Sequence, residues 1–414
     1  MTMSFSRLLA ALLVGVWMCT SLSAQRLDMK VLGRYRNIEI PFDLENDFVV
    51  IPVFLNNAIP LRFIIDTGAE NTVLLDRTLT DLLDISYQRT FQVRGSDLDE
   101  TLTAHLAAGV HLRLADRLLA RNRTVLVLEE NYFNFERITG TNIHGILGAD
   151  FLMRFVVEFD YRRQVVTLHD PSEFYLSRTY TEVPAEFIRN RPYVQIDVGV
   201  LTGEVSPRRL LLDTGAGLSL LMHTYTDSLH VDLPAQTIPT YIATGLGGTL
   251  EGSVGRSKTV SLGGKTMDDV ITYFQEVDSS TYQLINRREG IIGNQILRRF
   301  RVVVDYVNRK VYLRPEGGRW KRKFRFDRSG LNLLAGGNDL RSYTVSNVVP
   351  GSPAEEVGIQ VRDRVRSVNG ISVSLLNLES IIRKLQGRAG RRIRMRLYRE
   401  GRLFEVEFHL RDLI

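Results

Sequence analysis

The chain carries the same four residues twice: Asp66-Thr67-Gly68-Ala69 within FIIDTGAENTVLL, and Asp213-Thr214-Gly215-Ala216 within RLLLDTGAGLSLLM. In each copy an apolar run, read as a strand, ends in a carboxylate. A single copy is an ordinary Asp-Gly turn. At average residue usage, one Asp-Thr-Gly arises by chance in roughly one chain in ten of this length. Two copies with matching flanks point instead to a duplication, and the match runs further. HGILGADFL places Gly148 82 residues after Asp66, and EGIIGNQIL places Gly293 80 residues after Asp213. FVVEFDYRRQVVTL and FRVVVDYVNRKVYL follow, with Asp160-Tyr161 94 residues past the first Asp and Asp305-Tyr306 92 past the second. Landmarks in one order at nearly one spacing predict two lobes of one architecture.

Each lobe reads mainly as β. DFVVIPVFLNNAIPLRFIID has two apolar runs around Asn56-Asn57, a hairpin signal, and YVQIDVGVLTGEVSPRRLLLD repeats it with a longer turn. Short helices are expected over 76–83 and 224–229. Residues 146–151 and 291–297 are expected to begin as strand and turn into a short helix. A polar and aromatic stretch, 170–192, joins the copies. A third part begins near Gly317. VVPGSPAEEVGIQVRDRVRSVNGISV gives a strand end, a Pro-Gly-Ser-Pro turn, a short helix closed by Gly358, a strand and the turn Asn369-Gly370. A helix over 376–385 follows, then an alternating hairpin about Glu400-Gly401.

The 414 residues suffice for two to four domains, and the apolar content is that of a globular protein. Arg7, the apolar run Leu8 to Met18 and Ser21-Leu22-Ser23-Ala24 have the layout of a removable leader over residues 1–24. Eleven apolar residues are too few to span a bilayer. Export follows as an expectation, to the periplasm or envelope of a bacterium or into the medium. Cys19, within the leader, is the only cysteine, so the mature chain would have no disulfide, thiolate nucleophile or cysteine metal site. The histidines do not fit a common zinc spacing. Gly245-Leu246-Gly247-Gly248 lacks the Lys-Ser or Lys-Thr of a phosphate loop. No metal, cofactor or nucleic-acid partner is expected. From Gly317 onward there are 20 Lys plus Arg against 10 Asp plus Glu, which leaves an anionic envelope surface as a candidate contact against a simply solvated face.

Two lobes packed about an approximate two-fold axis would bring Asp66 and Asp213 together. Neighbouring carboxylates share one proton, because both cannot easily ionise. The ionised member then takes a proton from water while the other donates to a carbonyl oxygen. That is amide hydrolysis without metal or covalent intermediate. Gly68 and Gly215 let the backbones approach. Thr67 and Thr214 can bond across the axis. Ile146-Leu147 before Gly148 and Ile291-Ile292 before Gly293 can pack behind the loops. Thr72 and Ser219 each lie six residues past the Asp.

DTGAENTVLL, with an apolar-apolar-Gly about 80 residues on, resembles the active-site strand of the retropepsin-like aspartic peptidases, over roughly residues 37 to 315. The resemblance implies β-barrel lobes, one dyad Asp per lobe and a flap hairpin over the substrate. Two lobes in one chain resemble the pepsin-type bilobal pseudo-dimer. Candidate flap tips are Arg94-Gly95-Ser96-Asp97 and Thr244 to Gly248, with Gly95, Gly245 and Gly247; the second, richer in glycine, is expected to be the more mobile. Ala149 and Asn294 follow the landmark glycines where retroviral enzymes commonly have Arg. Ala69 and Ala216 stand where pepsin-like enzymes often have a hydroxyl residue, which implies optimum activity at mildly acidic to near-neutral pH. GSPAEEVGIQVRDRVRSVNG resembles a PDZ domain, with Arg362 where Gly is usual. FDRSGLNL then resembles its carboxylate-binding loop, which implies that Gly330, Leu331, Asn332 and Leu333, helped by Arg328, hold a polypeptide C-terminus beside the 376–385 helix.

The expected layout is a leader over 1–24, lobes over 37–170 and 180–316, and a PDZ domain (α+β) over 323–412. The expected function is an exported aspartic endopeptidase that acts as a monomer on polypeptides, its PDZ domain recruiting a C-terminus or regulating access. Against it stand a non-catalytic peptide-binding scaffold of the same fold, and a homodimer pairing lobes between chains.

Overall fold

The computed structural model describes residues 29–31, 36–94, 101–115, 117–225, 233–245, 248–278, 282–283 and 285–414. The leader 1–24, Gly95 and Gly247 lie outside them.

Both lobes use one strand order. In the first, Leu118–Leu128, Val73–Leu74, Gly145–Leu147, Ile59–Ile65, Phe48–Leu55 and Thr101–Leu114 are neighbours in turn, and the last pairs back to the first. In the second, Lys265–Val277, Leu220–Tyr225, Gly290–Ile292, Ser206–Leu212, Arg191–Gly199 and Gly248–Leu262 do the same. Each ring of six is a closed barrel, which leaves no unpaired edge along these strands. The ends Ile64-Ile65 and Leu210 to Leu212 are buried, so each strand delivers its aspartate from an apolar interior.

The two Asp-Tyr repeats join the lobes. Val156–Asp160 pairs antiparallel with Phe300–Asp305, Val156 opposite Asp305 and Phe159 opposite Val302. These lie at the centre of a sheet in the order Thr181–Val183, Lys310–Pro315, Phe300–Asp305, Val156–Asp160, Val165–His169, Asn37–Pro41. One hydrophobic core runs through both lobes, with Phe159, Phe300, Val302 and Val304 fully enclosed; each such side chain contributes about 1.5–3 kcal/mol by burial. The second half of the joining stretch carries two short strands: Thr181–Val183 enters the interlobe sheet and Ala185–Ile188 the second lobe's sheet. Met29–Val31, upstream of the lobe start expected at 37, pairs with Leu118–Leu128.

The C-terminal domain has its own core around Val345, Val365, Ile381, Ile393 and Leu397. Its sheet order is Leu331–Gly336, Ser342–Val348, Arg364–Val368, Arg392–Arg399, Arg402–His409. Helix Pro353–Glu356 is capped by Ser352 and helix Leu378–Leu385 by Asn377, each side chain accepting a backbone N–H of the first turn. The domain is anchored on the lobes. Phe324 and Ile414 pack into the lobe core, Arg299 stacks over Phe324 at 3.5 Å, and Gln236 donates to the Leu413 carbonyl at 3.1 Å. Helix Phe135–Thr139 of the first lobe packs against strand Leu331–Gly336.

One expected element starts differently from the sequence reading. Residues 224 and 225, placed in a helix by sequence, end strand Leu220–Tyr225, which runs parallel to Lys265–Val277; the remainder of 224–229 lies outside the described residues.

Candidate active site

Asp66 and Asp213 each sit one residue beyond their strand, and the parallel register continues into them. The Asp66 N–H donates to the Leu147 carbonyl and the Asp213 N–H to the Ile292 carbonyl, both at 3.0 Å. After Gly148 and Gly293 the chain turns into helices Ala149–Leu152 and Asn294–Leu297. Their first N–H groups have no intrahelical acceptor and bind the Asp loops instead. Ala149 and Asp150 donate to Ala69 and Glu70 at 2.9 and 3.1 Å; Asn294 and Gln295 donate to Ala216 and Leu218 at 2.9 and 3.0 Å. Gly148 and Gly293 are required by this contact: a Cβ would come within 2.5 Å of the Asn71 backbone in one case and 2.7 Å of the Ala216 carbonyl oxygen in the other. Leu147 and Ile292 pack into the main core, while Ile146 and Ile291 face apolar clusters beside the dyad.

The loops lock across the lobes. The Thr67 N–H donates to the Thr214 hydroxyl at 3.1 Å, and the Thr214 N–H to the Thr67 hydroxyl at 3.1 Å. Each hydroxyl donates onward across the axis, Thr67 to the Leu212 carbonyl at 2.6 Å and Thr214 to the Ile65 carbonyl at 2.8 Å. Both threonines are fully buried. The lock sets each glycine against the other lobe's carboxylate: a Cβ on Gly68 would lie 2.7 Å from the Asp213 Cγ, and one on Gly215 would overlap the Asp66 carboxyl group.

The two aspartates are half-buried, and each carboxyl group lies against the other lobe's glycine, close enough for the pair to share a proton. Oδ1 of Asp66 accepts the Gly68 and Ala69 N–H groups at 2.7 and 3.0 Å. Among the described residues, Oδ1 of Asp213 accepts only the N–H of Gly215, at 2.8 Å, the Ala216 N–H turning to the Asp213 main-chain carbonyl at 3.4 Å. Desolvation raises Asp66 above the usual carboxylate range, opposed by its hydrogen bonds. Desolvation and then the charge of Asp66 raise Asp213 well above it. Such a pair retains one proton where free aspartates hold none. Apolar groups flank it: Ala69, Val73, Ile146 and Phe91 on one side, Ala216, Leu218, Ile242 and Tyr273 on the other.

Thr72 and Ser219 occupy matching positions with different partners. The Thr72 hydroxyl donates to Asp150 at 2.7 Å, whereas Ser219 donates to the Ile271 carbonyl. Hairpins rise where flaps are expected, Tyr87–Arg94 with Thr101–Leu114 and Ile238–Gly245 with Gly248–Leu262. Gly245 pairs with Gly248 at the second tip. Sequence reasoning missed Asn294 and Tyr161. Asn294 was noticed as the counterpart of Ala149 and Tyr161 as part of a repeat, but nothing in either local pattern links them. Arg191 and Arg288, whose charges oppose the upward shifts of Asp66 and Asp213, carry no motif.

In the C-terminal domain, the N–H groups nominated for a ligand carboxylate are partly engaged. Asp327 accepts those of Ser329 and Gly330 at 2.9 and 2.7 Å, and the Leu331 N–H donates to the Ser329 hydroxyl at 3.1 Å. Leu331 and Leu333 point their side chains into the core. Asn332 is half-buried, its carbonyl taken by Ser346. Arg328 bonds Asp412 and the Gly387 carbonyl.

The aspartyl protease family matches residues 51–151 and again 196–296, and the PDZ domain family matches 344–399. The chain is similar to a probable CtpA-like serine protease of Staphylococcus saprophyticus, 31% identical over 77 residues, covering 19% of this chain and 15% of that protein. It is also similar to the carboxy-terminal processing protease CtpA of Bacillus subtilis, 38% identical over 53 residues, covering 13% of this chain and 11% of that protein. The chain therefore spans only a small part of the length of these curated relatives. Among solved structures it is similar to basic 7S globulin from soybean, at 9% identity and a TM-score of 0.41, over 71% of this chain and 100% of that one. The chain is thus built from two tandem aspartyl protease regions, one for each Asp-Thr-Gly-Ala motif, followed by a C-terminal PDZ domain.

Proposed function

We propose that this protein is an exported endopeptidase of the aspartic type, in which Asp66 and Asp213 of one chain activate a water molecule against a peptide bond. The observation that carries the reading is the reciprocal Thr67–Thr214 lock, which sets each carboxylate against the other lobe's glycine. Two carboxylates forced together cost stability, and a chain with no use for a shared proton would gain by separating them.

The unequal hydrogen bonding suggests the roles. Asp66, with two N–H donors, is the better anion and takes a proton from the water. The water oxygen bonds to the peptide carbon while Asp213 gives its proton to the carbonyl oxygen. Collapse of the tetrahedral centre breaks the C–N bond, and the nitrogen leaves with a proton returned through the dyad. The flanking apolar clusters favour substrates with apolar side chains around the cleaved bond. The PDZ domain binds a peptide that regulates access: helix Phe135–Thr139, which packs on its edge strand, contributes Phe135 to the apolar cluster that also receives Ala69.

Purified protein incubated with a mixed peptide library, with cuts mapped by mass spectrometry, tests the reading. The wild type is expected to cleave between apolar residues and Asp66→Asn to leave the library intact. Cleavage that persists in Asp66→Asn and yields to a serine-directed acylating inhibitor would overturn it.

A further inference from the structure

The duplication around the dyad breaks at the contact made just after each landmark glycine. The residue after the landmark glycine is Ala149 in the first lobe and Asn294 in the second. Asn294 is fully buried. Its Nδ2 donates to the Thr214 carbonyl at 2.6 Å, and its Oδ1 accepts the Tyr161 hydroxyl at 2.7 Å. Tyr161 belongs to the first lobe and is held by edge contact with Phe42. A chain of hydrogen bonds therefore runs from the first lobe, through Asn294, to the peptide unit between Thr214 and Gly215. The N–H of that same peptide unit is the main-chain donor to Oδ1 of Asp213.

The symmetry-related path would run from Tyr306 through residue 149 to the Thr67 carbonyl. Ala149 has no polar side-chain atom, and the buried Tyr306 hydroxyl meets no partner among the described residues. The loops thus hold their carboxylates by different means. Asp66 has two N–H donors; Asp213 has one, whose peptide plane is pinned from the other lobe. The Thr67–Thr214 lock is the same in both directions and cannot distinguish the two aspartates.

We propose that Tyr161 and Asn294 are positioning residues that orient the Asp213 carboxyl group and make the two members of the dyad unequal. The inference rests on the dyad reading. The hydrogen bonds within the chain are short, buried and consecutive, the situation in which each strengthens the next. Losing one leaves a buried polar group unpaired and lets the Thr214–Gly215 peptide turn. Tyr161 packs in the main core and Asn294 is fully buried, so neither is placed to touch substrate, and their loss should disturb the alignment of the carboxyl group rather than binding.

The test compares Tyr161→Phe, Asn294→Ala, their combination and Tyr306→Phe in the full chain, on a peptide the wild type cleaves, with Asp66→Asn alongside. Tyr161→Phe and Asn294→Ala are each expected to lower kcat about tenfold with KM within about twofold of wild type. The combination should be no slower than Asn294→Ala alone, and its thermal midpoint should show the same non-additivity. Tyr306→Phe, which removes a hydroxyl with no partner among the described residues, should keep the wild-type kcat. Equal effects of the two Tyr→Phe changes, or a change in KM alone, would overturn the proposal. An inactive Asp66→Asn beside a fully active Tyr161→Phe would sink the positioning role and spare the dyad. Turnover retained by Asp66→Asn, or none in the wild type, would sink both.

Discussion

Neither Gly68 nor Gly215 takes a positive φ. What excludes a side chain at each is the carboxyl group of the other lobe's aspartate. Gly215→Ala should push Asp66 off its partner and lower kcat/KM roughly a hundredfold, the usual cost of an ångström-scale misplacement; activity within a few-fold of wild type would show that the carboxylates have more room than the geometry gives them. The dyad also makes a stability prediction. The folded pKa of Asp213 lies above its unfolded value. Its protonated form therefore favours the fold below about pH 4, and that contribution is lost as pH rises through the raised folded value. Asp213→Asn should accordingly raise the thermal midpoint at pH 7 to 8 and change it little near pH 4. A gain at acid pH alone would reverse the sign and contradict a raised pKa. The same shift, together with methyl groups rather than hydroxyls at Ala69 and Ala216, sets the expected activity optimum at mildly acidic to near-neutral pH. At this scale the paired aspartates, threonines and glycines were legible because the duplication wrote them twice. Asn294 was not, because its meaning depends on Tyr161, 133 residues earlier, and such a pairing exists only after the lobes have packed.

Most strands could be read from alternation and from the apolar runs before each aspartate. The strand-to-helix turns at Ala149–Leu152 and Asn294–Leu297 fall where the glycines placed them. The misreading at 224 and 225 has a physical cause: Thr224 and Tyr225 both favour strands, and the parallel pair with Lys265–Val277 realises that preference. The joining stretch was left unassigned because its short strands find their partners only in the packed molecule, Thr181–Val183 in the sheet between the lobes and Ala185–Ile188 in the second lobe's sheet. In the PDZ domain, Arg362 adopts φ 77°, a left-handed conformation, while its N–H donates to the Val345 carbonyl at 2.8 Å. Its side chain is exposed, so replacement sacrifices little packing. Arg362→Gly should stabilise the domain by roughly 1 kcal/mol by removing backbone strain. Chemical denaturation followed by a probe within residues 323–414 reads this out, and an unchanged or lower midpoint would contradict the strain.

For the whole molecule, the decisive feature is the pairing of Val156–Asp160 with Phe300–Asp305 over a continuous core, which puts both aspartates of one chain into one site. Arg298 and Asp47 add an ion pair between the lobes. The basic excess of the C-terminal domain is partly answered within its own hairpin, where Arg392, Arg394 and Arg396 face Glu405 and Glu407. Those pairs are exposed and individually contribute little. A site made within one chain behaves differently from one shared between chains, and a complementation assay separates the two. Asp66→Asn and Asp213→Asn are purified separately, then refolded together in equal amounts and assayed on a peptide the wild type cleaves. The account predicts that each variant is inactive and that the mixture stays inactive, because every chain carries a broken dyad. Turnover by either variant alone, or activity recovered on mixing, would contradict it.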